Sequence, residues 1–336
     1  MRVSLVIACC LWLQGCYLLE QGRGQWNLRF NQVPLAQAAQ TNPDPKIRQL
    51  LTEVPGILAF GQGVMLLKQT ENYQGYYHTE LSGITFVVTA AKPLELERKT
   101  WWFPLVGLVP YRGYFNPDDA KAMQRELELR GWEVYVFPAP AYSTLGWLKD
   151  PITTPMFREG LPGLAESLFH EMAHATLYRN GHGDFNEQLA SFVGLKGVEQ
   201  YLTRAGRLAE LAQWQTDHRR EQAKLRRVHQ SALALARLFA SSASPEEKTQ
   251  AKAAEYAKLT QDLLHIYPGT SAKVWEFNNA RLMTTLLYDE LAPWPEELWL
   301  QAGGDWAKFW QGAKAKADAL GPPVAATDPA KPKLND

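Results

Sequence analysis

Cysteine is nearly absent from this 336-residue chain, and what there is of it sits at one end. The three cysteines are Cys9, Cys10 and Cys16. The remaining 320 residues have none, which excludes a disulfide scaffold and a cysteine-ligated zinc site. An excess of charge is also missing: 35 basic residues face 35 acidic ones. A general nucleic-acid binder normally carries a basic surplus, so that class is excluded as well. No run of about 18 apolar residues occurs, so the chain is not a polytopic membrane protein. At 46% hydrophobic and 21% charged it has ample material for a core and is not a disordered chain.

The cysteines have a local explanation. Residues 1–16 read MRVSLVIACCLWLQGC, with Arg2 as a short positive region and Leu5–Leu13 as an apolar run. That run is too short to span a bilayer and suits the core of a signal peptide. Leu13-Gln14-Gly15-Cys16 resembles a bacterial lipobox, in which cleavage precedes a cysteine that is then lipidated. Gln14 is unusual in that pattern, and a plain secretory signal cleaved near Gly15 is the alternative. Tyr17 follows the cysteine where an aspartate would signal inner-membrane retention, which points to the periplasmic face of the outer membrane. Removing residues 1–15 takes away only Arg2 and leaves 34 basic against 35 acidic residues, net −1. Attachment would then depend on lipid, since no basic patch is evident.

Four segments are expected: a signal at 1–15, an α/β part at 16–160, a helical part at 161–320, and a disordered Pro/Ala/Lys-rich tail at 321–336. Helical periodicity covers 46–68. Residues 83–90 and 133–137 are rich in β-formers, and Asn116-Pro117 opens a helix that stops at Gly131. Pro138 and Pro140 restrict the segment after the second strand to an edge or an irregular path. Beyond Pro162 helices are expected at 162–179, 185–202, 204–240, 245–265, 272–290 and 303–318. The long, charge-laced 204–240 segment reads as a solvated helix or helical hairpin.

One short stretch carries chemistry. Phe169-His170-Glu171-Met172-Ala173-His174 contains the His-Glu-x-x-His pattern. On a helix, positions i and i+4 point the same way, so His170 and His174 present two imidazoles to one point, as a zinc-ligand pair does. Glu171 lies one step round, able to act on a water without ligating. With seven histidines in the chain, a chance match is expected about 0.01 times.

Catalytic zinc needs a third protein ligand. His182, Asp184 and Glu187 all follow the helix. The metzincin spacing fails, because Leu177 and Asn180 stand where it requires glycine and histidine. Glu187 lies in Asp184-Phe185-Asn186-Glu187, and Gly181 and Gly183 allow the next helix to fold back. Its competing role is structural: Asp184 as N-cap with Glu187 at N3 makes a capping box. The ligand role is preferred, because the helix otherwise lacks a third donor. Asn186 and Ser191 then become residues that orient an imidazole or a carboxylate.

The run from Thr100 to about Leu202 resembles the bacterial family of predicted aminopeptidases, many of them lipoproteins. The resemblance rests on Trp101–Gly107 (W-x-F-P-x-x-G), Tyr111–Phe115 (YRGYF), Ala141–Trp147 (AYSTLGW), the F-H-E-x-A-H helix, the F-N-E segment, and Phe277–Leu282 farther on. Relatives often carry cysteines at the positions of Trp102 and Leu108, which removes a staple here and touches no zinc ligand. The resemblance implies an α+β, zincin-like fold of gluzincin type: a small β-sheet ahead of the His-Glu-x-x-His helix, with a mainly helical C-terminal half. It implies a zinc peptidase acting on peptide substrates, with Zn²⁺ on His170, His174 and Glu187 and Glu171 as general base.

An oxyanion donor is also required, and Tyr142, Tyr178, Arg281 and Tyr288 are the candidates. Tyr142–Thr144 would supply an edge for an extended peptide. Arg112 is a further candidate for substrate or structural pairing. An exopeptidase needs an acid for the substrate's ammonium, and Glu133, Asp150, Glu166 and Asp184 are available. Two other readings compete: a non-catalytic zinc-binding envelope lipoprotein, and a zinc amidase acting on a cell-wall or other non-peptide substrate. The 12 tryptophans would suit a carbohydrate surface, although they more often fill cores.

Overall fold

In the computed structural model, residues 20–69, 71–103, 107–140, 150–286 and 292–321 are described. The segment expected to hold the signal and the lipidated Cys16, together with Tyr142, Tyr288 and residues 322–336, lies outside them. The described residues form an α+β, mostly helical architecture with three small sheets. Among the described residues, no helix is long and apolar enough to cross a membrane.

The described residues open with a helix at residues 20–30 (α1). The chain continues through β1 (Val33–Pro34), α2 (Leu35–Thr41), α3 (Pro45–Gly63) and β2 (Gly75–Tyr77). Asp44 caps α3 by accepting from Lys46 N and Ile47 N, which fixes the helix start at Pro45.

Next come β3 (Thr85–Ala91), the hairpin β4 (Trp101–Phe103) and β5 (Gly107–Val109), β6 (Arg112–Tyr114), α4 (Pro117–Leu129) and β7 (Glu133–Ala139). The central strand β3 pairs antiparallel with β6 and β7, and α4 covers one face. Asn116 caps α4 through Asp118 N, and Gly131 takes φ +80° to end it, as the sequence requires. Strand β7 runs two residues farther than expected, with Pro138 opposite Phe86. Its position at the sheet edge tolerates the missing N–H.

Strand β8 (Ile152–Thr153) pairs parallel with β2, aligning Tyr76 with Ile152. The helical half follows: α5 (Gly160–Thr176), α6 (Gly183–Arg204), α7 (Leu208–Ala240), α8 (Pro245–Ile266), α9 (Asn279–Leu286), α10 (Trp294–Gln301) and α11 (Trp306–Ala319). The expected 272–290 helix is broken. A 3₁₀ turn covers Ala272–Trp275, and α9 begins only at Asn279, whose N–H donates to Glu133 (2.7 Å). Helix α10 was not anticipated, because its eight residues give too short a period to read.

The main core lies between α3, α5, α6, α10 and α11, around Phe169, Leu189, Val198 and Phe309. Two glycines bring α5 and α6 into close approach. A Cβ on Gly194 would sit 3.0 Å from the Glu166 carbonyl and 3.6 Å from His170 Cβ. One on Gly197 would sit 2.5 Å from the Phe169 ring and 2.7 Å from Met65 Cε. Helix α7 packs on α8 rather than standing alone in solvent, joined by Arg227 to Asp262 (2.5 Å) and Glu255 (3.1 Å). Of the two forms expected for 204–240, a helix or a helical hairpin, the chain takes the first, as a single 33-residue helix.

Candidate metal centre

Helix α5 starts abruptly at Gly160 (φ +66°) and buries Leu164, Leu168, Phe169 and Met172. That burial fixes its rotation and turns His170 and His174 to one side. Their Nε2 atoms are 3.1 Å apart. Gly181 (φ +77°) reverses the chain into α6, and Asn186, 1% exposed, locks the reversal. Its amide donates to Arg179 O (2.9 Å), and its oxygen accepts from Arg179 N (2.8 Å).

Glu187 follows one residue later and faces α5. Its carboxylate oxygens lie 3.4 Å from His170 Nε2 and 3.5 Å from His174 Nε2. The capping-box geometry is not formed: α6 begins at Gly183, with His182 at the N-cap and no side-chain cap bond. Gly194 lies two turns along α6 from Glu187, so the close approach at Gly194 holds Glu187 against the imidazoles.

Potential ligand atoms of His170, His174 and Glu187 all lie within 4.8 Å of one another. Their separations of 3.1, 3.4 and 3.5 Å can be compared with tetrahedral zinc geometry. Metal–ligand bonds of about 2.0–2.1 Å give ligand–ligand edges of about 3.3–3.4 Å. Two imidazoles and one carboxylate therefore fit such an ion in spacing and in chemistry. One detail departs from the usual arrangement: His174 Nδ1 is buried with no hydrogen-bond partner among the described residues, where metal-ligating histidines normally donate to a neighbour.

The electrostatics agree with a site built for positive charge. Burial works to raise the Glu187 carboxyl, but the two imidazoles outweigh it and hold the group well below the usual carboxylate range. Burial works to lower His170, but the hydrogen bond it donates to Glu187 and the charges of Glu171, Glu187 and Glu166 raise it overall.

A cavity of about 240 Å³ adjoins the trio along the N-terminal half of α5, lined by Glu159, Glu166, His170 and Glu171 on one side and by Tyr73 and Asp150 on the other. The parallel pairing of β2 with β8 builds the far wall and is extended by Tyr73 N donating to Asp150 O (2.7 Å). Tyr73 is only 4% exposed, and its backbone sits in the left-handed region at φ +65°. That conformation costs a non-glycine residue about 1–3 kcal/mol and clusters at functional sites. Burial pushes the Tyr73 phenol well above its ordinary value, and the nearby charges of Glu171 and Asp150 add to the effect.

The other sequence candidates separate. Tyr178 stands at the rim, 49% exposed, with its ring 6.1 Å from that of His174. Arg281 is not brought to the trio: its guanidinium donates to Glu276 O (2.8 Å) and stacks on Phe277 and Tyr135. Arg112 lies on β6 over the Tyr114 ring. Glu133 is committed to Lys252 and to the first N–H of α9. Asp184 sits in the first turn of α6. Of the acids considered, only Asp150 and Glu166 line the cavity.

Asn186 binds the α5–α6 turn rather than an imidazole or a carboxylate, and Ser191 lines a separate groove beside Glu166 and His218. Among the described residues, neither hydrogen-bonds to the trio. Sequence reasoning missed Tyr73, Glu159 and the two glycines. A Gly-x-x-Gly spacing two turns after Glu187 was the readable signal for the close helix approach. Nothing local marks Tyr73.

An α+β chain with a helix-borne His-His pair, a glutamate from the following helix and a cavity beside them is the class of protein in hand. The chain belongs to the family described as Putative aminopeptidase, whose model matches residues 16–320. No curated protein and no solved structure matches it.

Proposed function

We propose that this chain is a zinc-dependent peptidase, an aminopeptidase of zincin-like fold, and that it works in the bacterial cell envelope anchored through Cys16. The observation that carries the peptidase reading is the convergence of Glu187 on His170 and His174, with Glu171 in the wall of the adjoining cavity. Family membership supports peptide hydrolysis. The signal-like residues 1–16 support the envelope location.

His170, His174 and Glu187 would hold the ion. When bound, zinc lowers the pKa of a water toward 7 and polarises a carbonyl. Glu171 then accepts the proton of the attacking water and delivers it to the leaving amine. It stands next to His170 on the helix and faces the cavity, so it can reach both groups without ligating. The side chains of Leu164, Leu168 and Met172 lock the helix and keep this geometry from drifting. Of the oxyanion candidates that are described, Tyr178 at the rim stands nearest the trio.

The test is paired. Bound zinc is measured in the native chain, in Glu171→Gln and in Glu187→Ala, and hydrolysis of aminoacyl amides and internally quenched peptides is followed. Glu171→Gln should keep its zinc and lose at least 100-fold in kcat. Glu187→Ala should lose zinc affinity by at least tenfold. Unchanged zinc affinity in Glu187→Ala would remove it from the ligand set. A zinc-loaded native chain that cleaves no peptide would overturn the enzymatic reading.

A further inference from the structure

We propose that the cavity beside the trio is the pocket for a substrate's free α-ammonium group and first residue, with Glu166 as its principal anchor and Tyr73 and Glu159 completing it. This rests on the peptidase reading for its purpose but not for its binding chemistry.

Four observations converge. The first is size. At about 240 Å³, the cavity lies below the ~300–1,000 Å³ of pockets that take drug-sized ligands. It therefore admits one end of a chain and not its body.

The second is placement. Glu159, Gly163, Glu166 and His170 recur at intervals of three or four residues and so line one face at the start of α5. From Glu166 to His170 the helix rises about 6 Å, within the reach of one residue with its side chains, against 3.8 Å between successive Cα atoms. An ammonium held at Glu166 puts the first peptide carbonyl at His170 and Glu171. That geometry removes one residue at a time.

The third is charge. The acidic residues Asp150, Glu159, Glu166 and Glu171 all line the cavity. Among the described residues the Glu166 side chain accepts one hydrogen bond, from the neutral Trp214 indole N–H at 3.2 Å, and burial pushes its carboxyl upward. A cation entering the cavity supplies the counter-charge that burial withholds. An N-acylated terminus would instead press a carbonyl oxygen against these oxygens, which is a penalty built against the wrong substrate.

The fourth observation is independent of the acids. Tyr73 is 4% exposed and lines the cavity. Tyr73 is also held in a costly backbone conformation. A strained, buried tyrosine in a cavity wall marks a position held for a ligand.

The test measures binding, so it does not depend on turnover. Leu-Ala and N-acetyl-Leu-Ala are titrated by calorimetry into the zinc-loaded Glu171→Gln chain. Leu-Ala should bind at least tenfold tighter. Glu166→Gln keeps an acceptor for Trp214 and should bring the two dipeptides to within about twofold, with zinc content and melting temperature unchanged. Glu159→Gln, at an exposed position, should reduce the preference by about two- to fivefold, and Tyr73→Phe should do likewise. Equal affinity for the two dipeptides, or a preference that survives Glu166→Gln in a folded chain, overturns the proposal. If Glu166→Gln does not fold, the Glu159→Gln and Tyr73→Phe results decide in the same way. Should the native chain bind Leu-Ala in this amine-dependent manner yet release no leucine, the pocket stands and the peptidase reading falls.

Discussion

Replacing Gly197 with alanine tests the claim that close helix approach positions the metal ligands. A Cβ there would lie 2.5 Å from the Phe169 ring and 2.7 Å from Met65 Cε, and both residues are fully buried. Neither can swing into solvent, so α6 must move away from α5 or Phe169 must leave its rotamer. Overpacking of this kind costs about 1–3 kcal/mol. Alanine also gains about 0.8–1.0 kcal/mol over glycine as a helix former.

The clash is severe, so the packing loss should prevail by about 1–2 kcal/mol. At about 2–4 °C per kcal/mol for a chain of this size, the melting temperature should fall by roughly 2–8 °C. Gly56→Ala is the control. It sits mid-helix in α3, with only Tyr201 Oη (3.9 Å) near the added methyl, so the helix gain should appear unopposed and raise the melting temperature by a few degrees. Calorimetry gives both numbers. Competition with a chelator then reads the site, and Gly197→Ala should bind zinc several-fold more weakly because α6 carries Glu187. If Gly197→Ala stabilises the chain as Gly56→Ala does, the close-approach argument is refuted.

Two other outcomes follow from the charges. In the metal-stripped chain, the depressed Glu187 carboxyl stabilises fully above its unfolded value of about pH 4.3, and that contribution is lost as pH falls through the folded value. The raised His170 stabilises fully below its unfolded value of about pH 6.5, and that contribution is lost as pH rises through the folded value. The melting-temperature difference between native and Glu187→Gln, measured in chelator from pH 4 to 9, should peak between those limits and narrow above neutrality. A difference that keeps growing toward pH 9 would contradict this. Separately, Glu133→Ala should cost about 3–5 kcal/mol in denaturant unfolding, since it leaves Lys252 buried without its carboxylate and opens the start of α9. A loss below 1 kcal/mol would show that Lys252 finds other partners.

The donor trio was largely legible in the sequence because its geometry is local. A four-residue spacing on a helix forces His170 and His174 together whatever surrounds them. The glycine turn at 181–183 returns the next helix with Glu187 only thirteen residues after His174. The helix caps at Asn116 and the glycine stop at 131 are local chemistry of the same kind. Where the reading went astray, distant partners decided the matter. The break before α9 depends on Glu133 accepting from Asn279 N, across 146 residues. Asn186, offered as a partner for the site, instead serves the backbone of Arg179.

The sequence by itself determined the two imidazoles, the neighbouring glutamate and the carboxylate that faces them, because each follows from helical periodicity and one turn. Only the tertiary structure decided which acids share a cavity with them. Asp150 and Glu166 line it, while Glu133 is held at the start of α9 and Asp184 stays in the first turn of α6. Tyr73 reaches the same space through the parallel register of β2 with β8, a pairing of segments about 76 residues apart that no local pattern encodes.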